Sequence, residues 1–320
     1  MRHIKRGVAK IQAQRDIERL LFETGAIRIA PENKPFWYTS GTIGPYYSNT
    51  QNLIGSELEA DKLLKIIDAA QEGEKTLLPA KIERYFYDAY INNGGYHIVS
   101  DYIKAYIYDN MDIADIDVVS GGARRDWFFS FIAARMINKP HLTIFKDGCM
   151  VLSEPYTDAA AAAGASEAAG TPAGTPVADN GLLGKRCLHV SDIITEASSY
   201  ARSWAPAVAR AGARIHASLT ILDRLQGGEA VLASLGIKHF TLAKLDADFF
   251  DRALKQGHIN GAQHIRLRAY IADPHGSMRT FLKERPEFLQ DALSAGGKEA
   301  ERARMCVESG VYGADITLAI

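Results

Sequence analysis

From residue 115 onward, short apolar segments alternate with helix-like segments, and this alternation constrains the fold more than any other feature. The apolar segments are IDVVS, HLTIF, RCLHV, IHASLTIL and HFTLAKL, and amphipathic stretches such as DWFFSFIAARMI separate them. Alternation of this kind indicates βαβ units. The sequence therefore predicts an α/β protein with a central, mostly parallel sheet flanked by helices.

The chain on either side of this region has a different pattern. Residues 8–24 have helical periodicity, PFWYTSGTIGPYY is typical of a strand–turn–strand, and residues 56–71 open with the Ser-x-x-Glu spacing of a capping box. Residues 79–109 and 247–320 are mainly helical in pattern. We divide the chain into an N-terminal α+β hood (1–110), a core (111–255) and a helical C-terminal extension (256–320).

Residues 149–184 interrupt the core with a segment rich in Ala, Gly, Pro and Thr. Its low complexity predicts either a mobile excursion from the sheet or a short alanine helix with a linker. The segment contains no Lys, Arg or His. Its acidic residues are Glu154, Asp158, Glu167 and Asp179.

The composition argues against several classes of protein. The 320 residues carry a net charge of −1, which argues against a nucleic-acid binder that depends on neutralising phosphates. No run of about 18 apolar residues is present, so we expect no membrane span, and the N-terminus has no apolar core typical of a secretory signal. The three cysteines (Cys149, Cys187 and Cys306) are far apart, so we expect reduced thiols in a cytoplasmic protein.

The apolar segment RCLHV leads into SDIITEASSY, residues 191–200, where an acidic residue precedes small hydroxylated ones. Ligands of open α/β sheets lie at the carboxyl ends of strands, and a turn into a helix offers free N–H groups to a phosphate. Asp192 is placed to accept hydrogen bonds from a sugar diol, and the Thr and Ser hydroxyls can donate. The turn therefore predicts a ribose 5-phosphate site; the alternative is that Ser and Thr only cap the helix.

CLHVSDIITEASSY resembles the phosphoribosyl diphosphate (PRPP) signature of type I phosphoribosyltransferases. Further segments are similar, in order and spacing, to the orotate phosphoribosyltransferase branch of that family: FWYTSGTIGPYYSN (36–49), VVSGGARRD (118–126), IFKDG (144–148) and LDRLQGG (222–228). The resemblance implies the type I phosphoribosyltransferase fold and a homodimer. It also implies transfer of ribose 5-phosphate from Mg-PRPP to orotate or a related pyrimidine, with release of diphosphate.

The resemblance also implies roles for individual residues. Asp192 would hold the ribose hydroxyls and, through water or the ribose, Mg²⁺, while Lys146 would neutralise the leaving diphosphate. The further PRPP-binding candidates are Gly121, Gly122, Ala123, Arg124, Arg125, Thr195, Ala197, Ser198 and Ser199. The base-binding candidates are Ser40, Gly41, Tyr46 and Tyr47.

Each of these assignments has a structural alternative. Lys146 is also typical of a surface lysine before an Asp-Gly turn, and one of the two arginines is also typical of a solvated helix start. The Tyr residues also suit an aromatic core under a hairpin. Asp223 and Arg224 fit a structural pair behind the site better than a direct role.

The chain departs from the family pattern at several points. Ser191 stands where the family has a first acidic residue, Thr39 where it often has a basic one, and Glu196 lies within the phosphate turn. The segment 149–184 lacks the basic residues that the family places over the diphosphate. The candidates to replace this charge are Arg266, Arg268 and Arg279. A rival hypothesis is a PRPP- or nucleotide-sensing regulatory protein that has kept the phosphate turn and lost turnover.

Overall fold

The computed structural model describes residues 2–155, 173–313 and 316. Contacts divide the chain into two compact units. Unit 1 comprises Met1–Gly25 and Thr50–Leu245, and unit 2 comprises Ala26–Asn49 and Asp246–Ile320. This grouping differs from the three consecutive segments of the sequence analysis, because the aromatic hairpin joins the C-terminal helices.

The elements follow one another as the sequence pattern indicates. The strands are β1 (Ile27–Ile29), β2 (Phe36–Trp37), β3 (Ile43–Gly44), β4 (Tyr46–Ser48), β5 (Val118–Gly122), β6 (His141–Ile144), β7 (Met150–Ser153), β8 (Thr175–Pro176), β9 (Arg186–Ile194), β10 (Arg214–Asp223) and β11 (Lys238–Lys244). The helices are α1 (Arg2–Glu23), α2 (Glu57–Gln71), α3 (Leu78–Asn92), α4 (Gly94–Asn110), α5 (Trp127–Met136), α6 (Ala205–Arg210), α7 (Gly228–Ser234), α8 (Ala247–Lys255), α9 (Gly261–Ala272), α10 (Pro274–Glu284), α11 (Glu287–Ala295) and α12 (Gly297–Glu308). Short 3-10 helices span Thr50–Ile54 and Ile113–Asp115, and a π-helical turn spans Tyr200–Trp204.

Unit 1 is built on a seven-stranded sheet in the order β11-β10-β9-β5-β6-β7-β8. The neighbours from β11 to β6 pair in parallel, whereas β6–β7 and β7–β8 pair antiparallel at one edge. All residues of β5 and β6 are buried, as expected for strands covered on both faces. The predicted mostly parallel sheet with flanking helices is confirmed.

The strand order reverses direction between β5 and β9. The chain leaves β5 through α5 and returns as β6 on one side, and it leaves β9 through α6 and returns as β10 on the other. Such a reversal is a topological switch point, where the loops after the two strands are expected to diverge and form a crevice. The loops that follow Gly122 and Ile194 therefore border the expected ligand position.

Unit 2 consists of two two-stranded sheets and the helices α8 to α12. The pairs β1–β4 and β2–β3 are antiparallel, and their aromatic side chains pack on the helices. The Trp37 ring stacks on Phe288 with 5.2 Å between centroids, and the buried Tyr46 ring lies 5.7 Å from Tyr270. The aromatic run is thus part of the core of this unit, as the structural alternative for the Tyr residues has it.

Part of the Ala-rich segment lies outside the described residues. Residues 156–172, which include Asp158 and Glu167, are not among them, so both predictions for the centre of the segment stay predictions. Its described ends form β7 and β8 and the turn before β9. In the described parts of the chain, no helix combines the length and apolarity needed to cross a bilayer.

The N-cap of α2 allows a test of the helix assignment. The Ser56 hydroxyl accepts a hydrogen bond from the Glu59 N–H at 3.2 Å, as the capping-box spacing predicts. We expect Ser56→Ala to lower the free energy of unfolding by about 1 kcal/mol, because this N–H loses its acceptor. Urea denaturation would measure the change. Ser234→Ala, at the end of α7, is the control and should change the value by less than about 0.5 kcal/mol.

Candidate functional site

Two loops of unit 1 meet at the switch point. The first, Gly121 to Arg125, includes the end of β5, and the second, Asp192 to Ser199, includes the end of β9. The ladder between the two strands ends at the pair Ser120–His189, so the strands separate just before these loops. The PRPP-binding candidates of the sequence analysis therefore lie on two adjacent loops at one edge of the sheet.

Asp126 connects the two loops where the ladder has ended. Its Oδ2 accepts the N–H of Gly122 at 2.9 Å, and its Oδ1 accepts the N–H of Asp192, also at 2.9 Å. Both of these N–H groups are buried, and each would cost free energy without an acceptor. One carboxylate thus replaces two ladder bonds and sets the spacing between the loops.

Burial raises the pKa of this carboxyl and of its neighbour. Asp126 is 3% exposed, and burial raises its pKa to about 7 against the hydrogen bonds from the two N–H groups. Burial, and then repulsion by Asp126, raise the pKa of Asp192 to about 8, while Arg125 lowers it. His189 lies 3.5 Å from Asp126, but burial lowers the pKa of His189 to about 3, so the imidazole is neutral. The two carboxyls therefore retain a proton more readily than exposed carboxyls do.

Asp192 and Ser191 project to different surroundings. Asp192 Oδ1 accepts the N–H of Ile193 at 2.7 Å, and its Oδ2 accepts from the Thr50 hydroxyl at 3.4 Å. Ser191 is buried, and its hydroxyl lies 2.9 Å from the Tyr200 hydroxyl within the core. The departure from the family at Ser191 therefore places a neutral group in a core network and leaves Asp192 as the carboxylate at the edge.

The two glycines of the first loop are required by packing. A Cβ on Gly121 would lie 2.1 Å from the Ser130 hydroxyl oxygen, and a Cβ on Gly122 would lie 2.2 Å from the Trp204 indole. Neither glycine has a positive φ. The indole of Trp204 also stacks on His189, with 4.5 Å between ring centroids. The first loop therefore rests directly on the helical segment that follows the second.

The second loop turns sharply before its helical segment begins at Ser198. Ala197 has a φ of 53°, in the left-handed region, and its carbonyl accepts the N–H of Ala201 at 3.2 Å. Thr195 is half-buried, its carbonyl accepts the N–H of Gly228 at 2.8 Å, and Ser198 and Ser199 are exposed. The exposed side chain of Glu196 belongs to the same turn. The turn thus exposes its two serine hydroxyls beside the crevice.

The two arginines of the first loop have different surroundings. The Arg124 guanidinium forms an ion pair with Asp68 of α2 and donates to the Leu64 carbonyl at 3.4 Å. Arg125 is exposed and is close enough to Asp192 to lower the pKa of that carboxyl. Arg125 is therefore the arginine whose charge acts on the crevice.

The loop after β6 contains one further cation, Lys146, and Lys75 from the loop before α3 lies against it. Lys146 is exposed, whereas the neighbouring Asp147 forms an ion pair with Lys75. The Lys75 ammonium lies 5.2 Å from the centre of the Phe145 ring. The Asp-Gly turn after Lys146 is present, with Gly148 at a φ of 78°.

The base-binding candidates belong to unit 2. Ser40 Oγ lies 2.7 Å from the Thr42 hydroxyl, and a Cβ on Gly41 would lie 2.8 Å from the Met305 side chain. Tyr46 is buried in the core described above, and Tyr47 is half-buried with its ring 5.7 Å from Phe36.

The C-terminal arginines proposed to replace the missing charge are partly engaged within unit 2. Arg266 donates to the carbonyls of Pro31 at 3.1 Å and Ala30 at 3.3 Å. Arg268 forms an ion pair with Asp251 at 3.1 Å. These two guanidinium groups therefore bind partners within unit 2.

Comparisons with known proteins agree with this architecture. No family model and no curated protein matches the sequence. Among solved structures, the UMP synthase of Leishmania donovani has a TM-score of 0.50 and 14% identity, over 80% of this chain. The chain has a type I phosphoribosyltransferase-like fold. It spans only 41% of the length of that UMP synthase.

Further solved structures are similar at lower TM-scores. The orotate phosphoribosyltransferase from Aeropyrum pernix has a TM-score of 0.44 and 16% identity, over 76% of this chain and 99% of its own. The Mycobacterium tuberculosis orotate phosphoribosyltransferase in complex with PRPP has a TM-score of 0.39 and 15% identity, over 74% of this chain and 98% of its own. At these identities the likeness is one of fold.

Three residues of the candidate site were missed by the sequence analysis. Asp126 ends the quoted segment VVSGGARRD, and its position five residues after a glycine-containing strand end was the available signal. Thr50 and Lys75 belong to no sequence motif. The fold alone brings Thr50 near Asp192 and Lys75 near Asp147.

The raised pKa of Asp126 predicts a pH dependence of stability. A carboxyl with a raised folded pKa contributes stability below its unfolded pKa, near 3.8, and loses it as the pH rises towards 7. Relative to Asp126→Asn, the free energy of unfolding of the wild type should fall by about 1 kcal/mol or more between pH 4 and pH 7. Urea denaturation at several pH values would measure this difference.

Asp117→Asn is the matched control for this measurement. Hydrogen bonds from the Arg186 backbone and guanidinium lower the pKa of Asp117, so the sign is opposite. The wild type should gain stability relative to this variant as the pH rises towards 4. The same pH trend for both variants would contradict the role assigned to Asp126.

Proposed function

We propose that the protein transfers the phosphoribosyl group of PRPP to orotate or a related pyrimidine and releases diphosphate. The observation that carries this proposal is the crevice at the switch point. There the Asp192 carboxylate lies at the start of a turn with exposed Ser hydroxyls, and Arg125 acts on the same carboxylate. This combination suits a ligand with a sugar diol and several phosphates.

The second loop would hold the ribose 5-phosphate. The hydroxyls of Thr195, Ser198 and Ser199 are donors for phosphate oxygens, and the turn leads into a helical segment whose first N–H groups attract anions. Burial favours the protonated form of Asp192, so Arg125 and the bound Mg²⁺ would have to keep it ionised. The carboxylate would then accept hydrogen bonds from the two ribose hydroxyls. Holding the sugar in this way positions its C1 carbon for attack and contributes through orientation.

The diphosphate gains negative charge as the bond to C1 breaks, so a nearby cation stabilises the transition state. One donor aimed at such charge contributes about 3–4 kcal/mol. Because residues 149–184 contain no Lys, Arg or His, the charge has to come from elsewhere in the chain. Arg125 and Lys146 are the exposed cations that follow β5 and β6, and we assign this role to them.

The residues around Asp192 fit an Mg²⁺ held mainly by the ligand. Mg²⁺ commonly takes one or two carboxylates, substrate phosphates and several waters. A carboxylate oxygen has two lone pairs, so Asp192 Oδ2 can accept from a water of the ion as well as from the Thr50 hydroxyl at 3.4 Å. Asp192 would hold a water of the ion, and the ion would supply positive charge to the diphosphate. A homodimer and the pyrimidine acceptor rest on the sequence resemblance of residues 36–49 and 118–228. A cytoplasmic location rests on the three widely separated cysteines.

A second candidate function is a PRPP-binding regulatory protein without turnover. The observation that favours it is the absence of basic residues from 149–184, together with Ser191 in place of an acidic residue. Binding of PRPP is common to both functions. Turnover separates them.

Asp192→Asn tests the shared requirement. Asn keeps the oxygen that accepts the Ile193 N–H, so the turn should remain folded while the charge is lost. We expect PRPP in the presence of Mg²⁺ to bind at least about tenfold more weakly to the variant, because charge-assisted hydrogen bonds contribute about 1.5–3 kcal/mol. Isothermal titration calorimetry would measure both affinities.

Asp117→Asn is the control here as well, because Asp117 precedes β5 and is bonded to Arg186 away from the crevice. Its PRPP affinity should equal that of the wild type. Equal binding to wild type and Asp192→Asn, or no binding to either, would contradict both functions. Consumption of orotate by the wild type, measured by its loss of absorbance, would support the transferase. Binding without turnover of any pyrimidine would favour the regulatory protein.

A further inference from the structure

A group of three metal-ligating side chains lies beyond the carboxyl end of β10, outside the proposed PRPP site. Asp223 ends β10, Glu229 lies in the first turn of α7, and His239 lies on β11. Their ligating atoms all lie within 4.8 Å of one another. Among the described residues, no other group of three or more His, Cys, Asp or Glu side chains has this geometry.

A buried oxygen of Asp223 has no hydrogen-bond partner. Asp223 is 1% exposed, and its Oδ1 accepts the N–H of Leu225 at 2.7 Å. Its Oδ2 is buried without a partner and lies 3.9 Å from the Nδ1 of His239. This distance is too long for a hydrogen bond. A buried carboxylate oxygen left in this state costs free energy unless a cation or a donor satisfies it.

The hydrogen bonds of His239 leave its Nδ1 as an acceptor. The Thr220 hydroxyl donates to the Phe240 carbonyl at 3.4 Å, so its oxygen accepts from the Nε2–H of His239 at 3.0 Å. The neutral imidazole then carries its proton on Nε2, and the Nδ1 lone pair faces the Asp223 carboxylate. In metal sites, a hydrogen bond from the ring nitrogen that does not bind the metal commonly holds the His side chain in position.

Two acceptors that face each other with no donor between them require a positive charge. Asp223 and Glu229 carry two formal negative charges, and Lys244 at the end of β11 carries one positive charge. The group therefore keeps an excess negative charge.

We propose that Asp223, Glu229 and His239 bind one first-row divalent metal ion of the Zn²⁺ class. One imidazole and two carboxylates suit such an ion, and water completes the tetrahedron. With bonds of about 2.1 Å, ligand atoms of a tetrahedral site lie about 3.4 Å apart, so the 3.9 Å separation and the others, which reach at most 4.8 Å, would have to contract on binding. Glu229, being exposed, leaves the site open to solvent on one side.

The ion would join the end of β10 to the start of α7. The backbone between them supports the phosphate turn, because Arg224 donates its N–H to the Ile194 carbonyl at 3.0 Å and Gly228 to the Thr195 carbonyl at 2.8 Å. The role that follows is structural. Binding of the ion is independent of whether the protein binds PRPP.

The test is Zn²⁺ titration of the full chain, produced without a polyhistidine tag and stripped with a chelator. Cys149→Ser serves as the background, because Cys149 is an exposed thiol that could bind Zn²⁺ on its own. The titration contains excess Mg²⁺, which occupies sites made of oxygen ligands alone. We expect one Zn²⁺ per chain, and at least tenfold weaker binding after Glu229→Gln, His239→Gln or Asp223→Asn.

Glu229→Gln decides the outcome if a variant of a buried ligand fails to fold, because Glu229 is exposed. His216→Gln is the control, since His216 lies on β10 with its Nδ1 bonded to the Cys187 carbonyl, and it should bind like the background. Less than one Zn²⁺ per chain at saturation would overturn the proposal. So would equal affinity of Glu229→Gln and the background, because the ion would then lie elsewhere.

Discussion

The candidate site depends on one carboxylate at the point where two parallel strands separate. Beyond the last ladder pair of β5 and β9, the N–H groups of Gly122 and Asp192 lose their strand partners while they remain buried. Asp126 satisfies both, one with each oxygen. Burial raises the pKa of the Asp126 carboxyl. The same carboxyl therefore determines both the stability of the crevice and the pH at which a proton binds there. An Asn has one acceptor oxygen and cannot replace both bonds.

Local patterns in the sequence were enough to predict the fold class. Continuous apolar runs and turn residues predicted β9 and β10, and helical periodicity predicted α5, because each of these depends on neighbours a few residues away. The grouping of residues 26–49 with the C-terminal helices was not predicted. It rests on side-chain packing such as Tyr46 on Tyr270, which joins distant parts of the chain and leaves no periodic signal.

The candidate site was predicted in outline. The turn with Asp192 carries a motif and could be located directly. The choice between Arg124 and Arg125 could not be made, since it depends on an ion pair with Asp68 of a preceding helix. Ser191 was considered a missing charge, and its hydroxyl in fact joins a buried network with Tyr200, which follows from the alternation of side chains along β9.

The contact of Gly122 with Trp204 has a consequence for how such a chain diverges in sequence. The indole occupies the space that a side chain at position 122 would need. A larger residue at 122 is therefore compatible with the fold only when position 204 becomes smaller, so the two positions should change together among homologues. Eighty-two residues separate them along the chain. A search for homologues that weights each position independently would penalise both changes, although each compensates the other.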